Sequence, residues 1–66
     1  MKQFKFPQFA TIINNGEVKS YIVERYEYID GELYLLSGTD NIKHHISTVK
    51  QKEYFLNKIE SLINNK

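Results

Sequence analysis

Cysteine is absent from this chain of 66 residues, which also has a single proline and three glycines. Without cysteine the chain can form no disulfide scaffold or zinc ribbon and can perform no thiol catalysis. No apolar run approaches the roughly 18 residues needed to cross a bilayer. The opening segment, MKQFKFP, lacks the apolar stretch of a secretory signal. We therefore expect a cytoplasmic protein that does not associate with a membrane.

An excess of charge of one sign is also absent. Nine basic and 8 acidic residues leave a net charge of +1, which does not indicate a strongly electrostatic partner. The length allows one domain over residues 1–66, with an apolar fraction of 41% that is enough for one small core. Isoleucine, asparagine, lysine and tyrosine are abundant, while alanine and arginine each occur once. This usage is typical of low-GC bacteria and their phages.

Two dipeptides, Asn15-Gly16 and Asp30-Gly31, predict the turns of a β-meander. Both tolerate positive φ at two successive positions, as type I′ turns require. Both are flanked by β-branched and aromatic residues, and closing each turn on its neighbours sets the register of its hairpin. A weaker turn signal at 37–41 leads to a further alternating segment. The predicted strands span about 8–14, 17–29, 32–37 and 42–47.

The period changes after Thr48, and a helix is predicted from about 49 to 64. Its apolar positions fall on one stripe: Phe55, Leu56, Ile59, Leu62 and Ile63. Thr48 and Gln51 have the spacing of a capping box. The predicted fold class is α+β, a curled antiparallel four-stranded meander with one C-terminal helix packed on one face.

The segment before the meander has two interpretations. Phe4 and Phe6 alternate with Lys5 as in a short strand, and Pro7 suits a sheet edge or a break. The segment either adds a short N-terminal edge strand or lies across the open mouth of the sheet. We place it at the sheet edge.

The predicted register gives the sheet two faces. Glu24 interrupts the larger and less charged face, which we predict to be the core beneath the helix. A bulge at Glu24 would let this long strand change its facing. The predicted core face contains Phe9, Thr11, Ile13, Val18, Ser20, Ile22, Tyr26, Tyr28, Leu33 and Leu35, and the other contains Ala10, Ile12, Lys19, Tyr21, Val23, Arg25, Glu27, Tyr34 and Leu36.

The second face is the predicted contact surface. A two-layer domain with one helix leaves it in water, and an apolar and aromatic patch there indicates an interface. Tyrosine and arginine are enriched among the residues that dominate contact energies. The predicted partner-binding residues are Tyr21, Arg25, Tyr34, Leu36 and Lys19.

Residues for catalysis or metal binding are not evident. His44 and His45 are adjacent on a strand, so they point to opposite faces and cannot chelate one metal. We expect one to be partly buried and the other solvated, with a pH-sensitive contact as the alternative. Asp30 and Asp40 lie in tight turns, where aspartate side chains serve their own backbone. We expect no enzyme, no cofactor and no metal site.

The function predicted from these features is a small protein-binding or regulatory module. A phage or mobile-element inhibitor of a host protein is one such module, and the sequence does not identify its partner. An exposed sheet edge would also let two copies form a homodimer. The alternative is nucleic-acid binding through a Tyr/Lys/Arg sheet surface, although such modules usually carry a strong basic excess.

Overall fold

The computed structural model describes residues 2–64, which form an antiparallel sheet followed by a helix. The strands lie in sequence order, and the open sheet with its C-terminal helix confirms the predicted α+β arrangement. A 3-10 turn over Ile46–Thr48 joins sheet and helix. The elements are β1 (Lys2–Asn14), β2 (Glu17–Ile29), β3 (Glu32–Ser37), β4 (Ile42–His45) and α1 (Lys52–Asn64).

Both predicted type I′ turns are present. Asn15 and Gly16 have φ angles of 51° and 80°, and Asp30 and Gly31 have 52° and 81°. Asparagine, aspartate and glycine are the residues that enter this left-handed region at least cost. The turns close both hairpins in the predicted register.

The N-terminal segment belongs to β1, which begins at Lys2 and not near residue 8. Lys2 pairs with Tyr26 and Gln3 with Arg25, and regular pairing resumes at Gln8 after a register shift. Pro7 lies within that shift, consistent with its inability to donate to a ladder. The segment therefore lies at the sheet edge, as a continuation of the first strand.

Phe4 anchors this segment to the core. Its side chain is buried, with its ring centroid 5.1 Å from that of Tyr26 and 5.9 Å from that of Phe55. Aromatic pairs at these distances add to the stabilisation from burial alone. The start of β1 is thereby packed against both β2 and α1.

The start of the helix differs from the prediction, because residues 49–51 bind the outer edge of β1, on the side away from β2. Val49 forms an isolated antiparallel bridge with Ile12, and the Lys50 N–H donates to the Thr11 carbonyl at 2.8 Å. The Gln51 side chain also binds Thr11. With Gln51 so engaged, α1 begins at Lys52 and not at residue 49.

The predicted capping box is therefore wrong, as is the predicted end of the fourth strand. The Thr48 hydroxyl donates to the His45 carbonyl at 2.7 Å, and the His45 ring accepts the Ser47 N–H. These local bonds close a 3-10 turn. They end β4 at His45, two residues before the predicted end.

A bulge interrupts β2 at Glu24. Val23 pairs with Ser37 and Arg25 pairs with Leu36, so Glu24 is an extra residue on the β2 side. An extra residue shifts the alternation of facing by one position. Val23 and Tyr26 consequently lie on one side of the sheet, although they are three positions apart and strict alternation would place them on opposite sides.

The bulge reverses the predicted faces in the β1–β2 hairpin. The inner face of the sheet packs against α1. Residues predicted to form the core lie on this face only in the half of the sheet beyond the bulge, where Tyr26, Leu33 and Leu35 are buried. In the hairpin the inner face buries residues predicted to be in solvent. The core cluster is Phe4, Ala10, Ile12, Val23, Tyr26, Leu33, Leu35, Ile46, Val49, Phe55 and Ile59.

The helix covers less of the sheet than its apolar stripe predicts. Phe55 and Ile59 are buried, and Leu56 packs partly against the core. Leu62 and Ile63 are exposed. They flank a cavity at the sheet margin, where β1 is the edge strand. The last turn of α1 therefore reaches past the core.

Candidate functional site

The structure does not bring the five predicted contact residues together on one surface. Tyr21 packs partly against the core cluster on the inner face. Arg25 and Tyr34 lie on the opposite, outer face and are half-buried, while Leu36 is fully buried. Lys19 is exposed beside Tyr21, away from Arg25. The five residues do not share a face because the bulge separates residues that strict alternation would place together.

Tyr21 belongs to a small polar cluster at the edge of the core. Its ring centroid lies 4.3 Å from that of His44, and His44 Nε2 is 2.8 Å from the Ser37 hydroxyl in a buried hydrogen bond. Burial lowers the pKa of His44 from its ordinary value of 6.5, because desolvation disfavours the charged ring. His44 is thus the buried member of the histidine pair and packs as a neutral side chain.

Arg25 holds the turn between β3 and β4. Its Nε donates to Asn41 Oδ1 at 2.8 Å, and Nη2 donates to the Gly38 carbonyl. The Glu24 carboxylate lies 3.8 Å from Nη1. A guanidinium with these partners is committed to the fold, so Arg25 is a structural residue.

Tyr34 contacts the second histidine on the outer face. The rings of Tyr34 and His45 meet edge to face, with centroids 5.1 Å apart. His45 Nδ1 accepts the Ser47 N–H, so Nε2 carries the proton that binds Glu32 Oε1 at 2.6 Å. His45 therefore ties the end of β4 to the start of β3.

The largest departure from the prediction is a set of exposed apolar side chains, which we call the outer patch. It lies on the outer face of the β1–β2 hairpin and contains Phe9, Ile13, Val18 and Ile22, exposed at 74%, 46%, 64% and 52%. Phe9 pairs with Ile22 and Ile13 with Val18. The apolar surface is on the order of 400 Å², within the range of the largest, often functional, patches on monomers.

Uncharged residues separate the two pairs of the outer patch. Thr11 pairs with Ser20 between them, so the six outer-face side chains between Phe9 and Ile13 and between Val18 and Ile22 include no charge. Interface cores are depleted of charged residues in the same way. The sequence contained one signal for this outcome, Glu24, whose place on an otherwise apolar face indicated a change of facing.

A groove on the inner side of the hairpin contains Lys19, the remaining cation of the predicted site. Lys19 and Lys43 line it together with Tyr21, Glu17 and His44, and its volume is about 280 Å³. Two ammonium groups near an aromatic ring suit a small anion or a phosphate. Glu17 opposes that charge within the same groove.

Among residues 2–64, no group of three or more histidine, aspartate and glutamate side chains is placed to hold a metal ion. Within the same range, no helix is long and apolar enough to cross a membrane.

Comparison of the chain with protein-family models, with curated proteins and with solved structures finds no match.

Proposed function

We propose that this chain is a non-enzymatic protein-binding module and that the outer patch is its contact surface. The observation that carries this proposal is the pairing of exposed apolar side chains, Phe9 with Ile22 and Ile13 with Val18, in a stretch of the outer face that contains no charged side chain. Covering such a face stabilises the complex by roughly 25 cal/mol for each Å² of apolar area removed from water. A partner with a matching apolar face would gain this stabilisation.

The proposed protein-binding module is a small regulator that acts in the cytoplasm without a cofactor. An inhibitor encoded by a phage or mobile element is one form of it, and a second copy of the chain is one of the partners it includes. The near-neutral charge supports binding through shape and apolar contact over binding through long-range electrostatics.

The test compares two isoleucines of nearly equal exposure. Ile13 in the outer patch is 46% exposed, and Ile63 in α1 is 48% exposed. Tagged wild-type chain, Ile13→Ser and Ile63→Ser are used to capture proteins from cells that express the chain, and captured proteins are quantified by mass spectrometry. Both variants replace surface side chains, so circular dichroism should show native melting within a few degrees.

We expect wild-type chain and Ile63→Ser to capture the same partner. Ile13→Ser should retain less by about tenfold or more, the loss typical of a residue that dominates an interface. Equal capture by Ile13→Ser would show that the outer patch is not the contact surface.

Nucleic-acid binding is the alternative function, and the groove beside Lys19 and Lys43 is the feature that favours it. Binding to a labelled single strand should then weaken steeply as salt is raised. We expect little binding even at low salt. Tight binding that Lys19→Ala with Lys43→Ala abolishes would replace the protein-binding proposal.

A further inference from the structure

The first half of β2 has an unpaired edge. β1 pairs with β2 from Glu17 onward, whereas the pairing with β3 begins only at Val23, opposite Ser37. On the side away from β1, residues 17–22 therefore have no strand partner within the part of the chain that is described. We call this the free edge.

The free edge is open and regular. A groove of about 640 Å³ runs beside it, lined by Ser20, Tyr21 and Ile22 on one side and by Gly38 and Ile42 on the other. The register with β1 has no shift between residues 17 and 22, and the segment contains no proline. Bulges, prolines and charged side chains are the devices that usually protect an edge from pairing with another strand, and of these the segment has only the charges of Glu17 and Lys19.

The sequence of this edge is self-complementary about Ser20. The segment Val18-Lys19-Ser20-Tyr21-Ile22 has an apolar residue at each end and a serine at the centre, with one long side chain on each side of the serine. In an antiparallel pair, directly opposed residues share a face. Two copies centred on Ser20 would place Val18 opposite Ile22 on the outer face and Lys19 opposite Tyr21 on the inner face.

We propose that two copies of this chain pair along residues 18–22 of the free edge, antiparallel and centred on Ser20, to form one continuous sheet. The paired stretch ends at residue 18 because residue 17 would oppose Val23, whose edge already pairs with Ser37. The inference rests on the proposed protein-binding function, in which a second copy is one partner. The Lys19 ammonium of each copy would meet the Tyr21 ring of the other, a favourable cation–π arrangement. Centring the pair on Lys19 would set two like charges directly opposite each other, which is unfavourable.

The pairing has a consequence for the outer patch. A two-fold axis perpendicular to the sheet keeps both outer faces on one side. The two outer patches would then adjoin across the axis through Val18 and Ile22, and the dimer would present one apolar surface twice as long. Edge pairing thus builds a larger contact surface and leaves that surface uncovered.

The test uses single cysteines, which the natural chain lacks. In the proposed register, the two Ser20 Cα atoms lie about 4.5–5.5 Å apart, within the range that a disulfide spans. Ser20→Cys should form a dimeric disulfide with oxidised glutathione at least about tenfold faster than Val18→Cys, because pairing raises the local thiol concentration. The Val18→Cys thiols would be about 13 Å apart along the paired strands and serve as the matched control.

The register has a second readout. Val18→Cys and Ile22→Cys should each link slowly alone and quickly when mixed, because the pairing opposes residue 18 of one copy to residue 22 of the other. Fast linking of Val18→Cys with Ser20→Cys would instead indicate a pair centred on Lys19 and overturn the proposed register. Sedimentation of wild-type chain at rising concentration should show a monomer that converts to a dimer.

The results separate this inference from the proposed function. A chain that remains monomeric, while its capture of another protein still depends on Ile13, would overturn the edge pairing alone. Fast linking of Ser20→Cys with capture that does not depend on Ile13 would overturn the outer patch alone. Dimers in which Ser20→Cys links no faster than Val18→Cys would contradict the edge geometry. They would indicate that the two sheets pack face to face, about 10 Å apart, where neither cysteine is close enough to its counterpart to link quickly.

Discussion

Gln51 binds both the backbone and the side chain of Thr11. Its Oε1 accepts the Thr11 N–H at 2.9 Å, and its Nε2 donates to the Thr11 hydroxyl at 3.0 Å. One amide side chain thereby replaces a strand neighbour at the edge of β1. Together with the bridge between Ile12 and Val49, it connects the helix to the sheet.

Gln51→Ala should lower the free energy of unfolding by about 1–2 kcal/mol, because a partly buried backbone N–H loses its acceptor. Thr11→Val removes only the hydroxyl and should cost less, under about 1 kcal/mol. Urea unfolding of both variants measures the difference. A Gln51→Ala variant as stable as the wild-type chain would show that water replaces the amide without cost.

Adjacent isoleucines test the reversed face of the hairpin. Ile12 is buried at 6% exposure and Ile13 is 46% exposed. Ile12→Ala should cost about 2–5 kcal/mol through lost burial and the cavity left behind. Ile13→Ala should cost less than about 1 kcal/mol. Thermal melting of the two variants shows which isoleucine lies in the core. A larger loss of stability in Ile13→Ala than in Ile12→Ala would restore the face predicted from the sequence.

Arg25→Ala should destabilise the fold, in contrast to the behaviour of a solvent-exposed contact residue. Loss of the bonds to Asn41 and to the Gly38 carbonyl should cost about 1–2 kcal/mol. Lys19→Ala, an exposed cation on the same strand, should stay within about 0.5 kcal/mol. Denaturant unfolding of both variants measures this. Equal stability would mean that Arg25 is not needed to hold the turn.

His44 should make stability fall in mild acid. Its pKa in the folded chain is lowered by burial, while the unfolded chain retains the ordinary value of about 6.5. Between these two pKa values the unfolded state binds more protons, so folding loses stability as the pH falls through that window. The stabilising contribution of neutral His44 is complete above about pH 6.5.

The measurement is the urea midpoint at a series of pH values from about 8 to 5. His44→Gln should flatten the slope, because glutamine can bind the Ser37 hydroxyl without titrating. A slope that persists unchanged in His44→Gln would assign the titration to another group.

The parts of this fold that depend on neighbouring residues could be predicted from the sequence. Asn15-Gly16 and Asp30-Gly31 define their turns through their own φ preferences, and each turn sets a register that extends along its hairpin. The apolar period of α1 likewise identified the helix and its buried Phe55 and Ile59.

The parts of the fold that depend on residues distant in the sequence could not be predicted. Gln51 is 40 residues from Thr11, so nothing near it in the sequence indicates that its side chain serves a strand edge and delays the helix. The contact surface could not be predicted for a related reason. Both faces of the β1–β2 hairpin contain large apolar side chains, and the choice between them depends on the bulge at Glu24.

That bulge has a consequence for how the chain could change in evolution. Deleting one codon, that of Glu24, would restore strict alternation along β2 and turn the hairpin over relative to the rest of the sheet. The side now in water already has Phe9, Ile13, Val18 and Ile22 to offer as a core. The present core residues, Ala10 and Ile12 among them, would become the new exterior. A single deletion would thus exchange the interior and exterior of the hairpin without replacing any other amino acid.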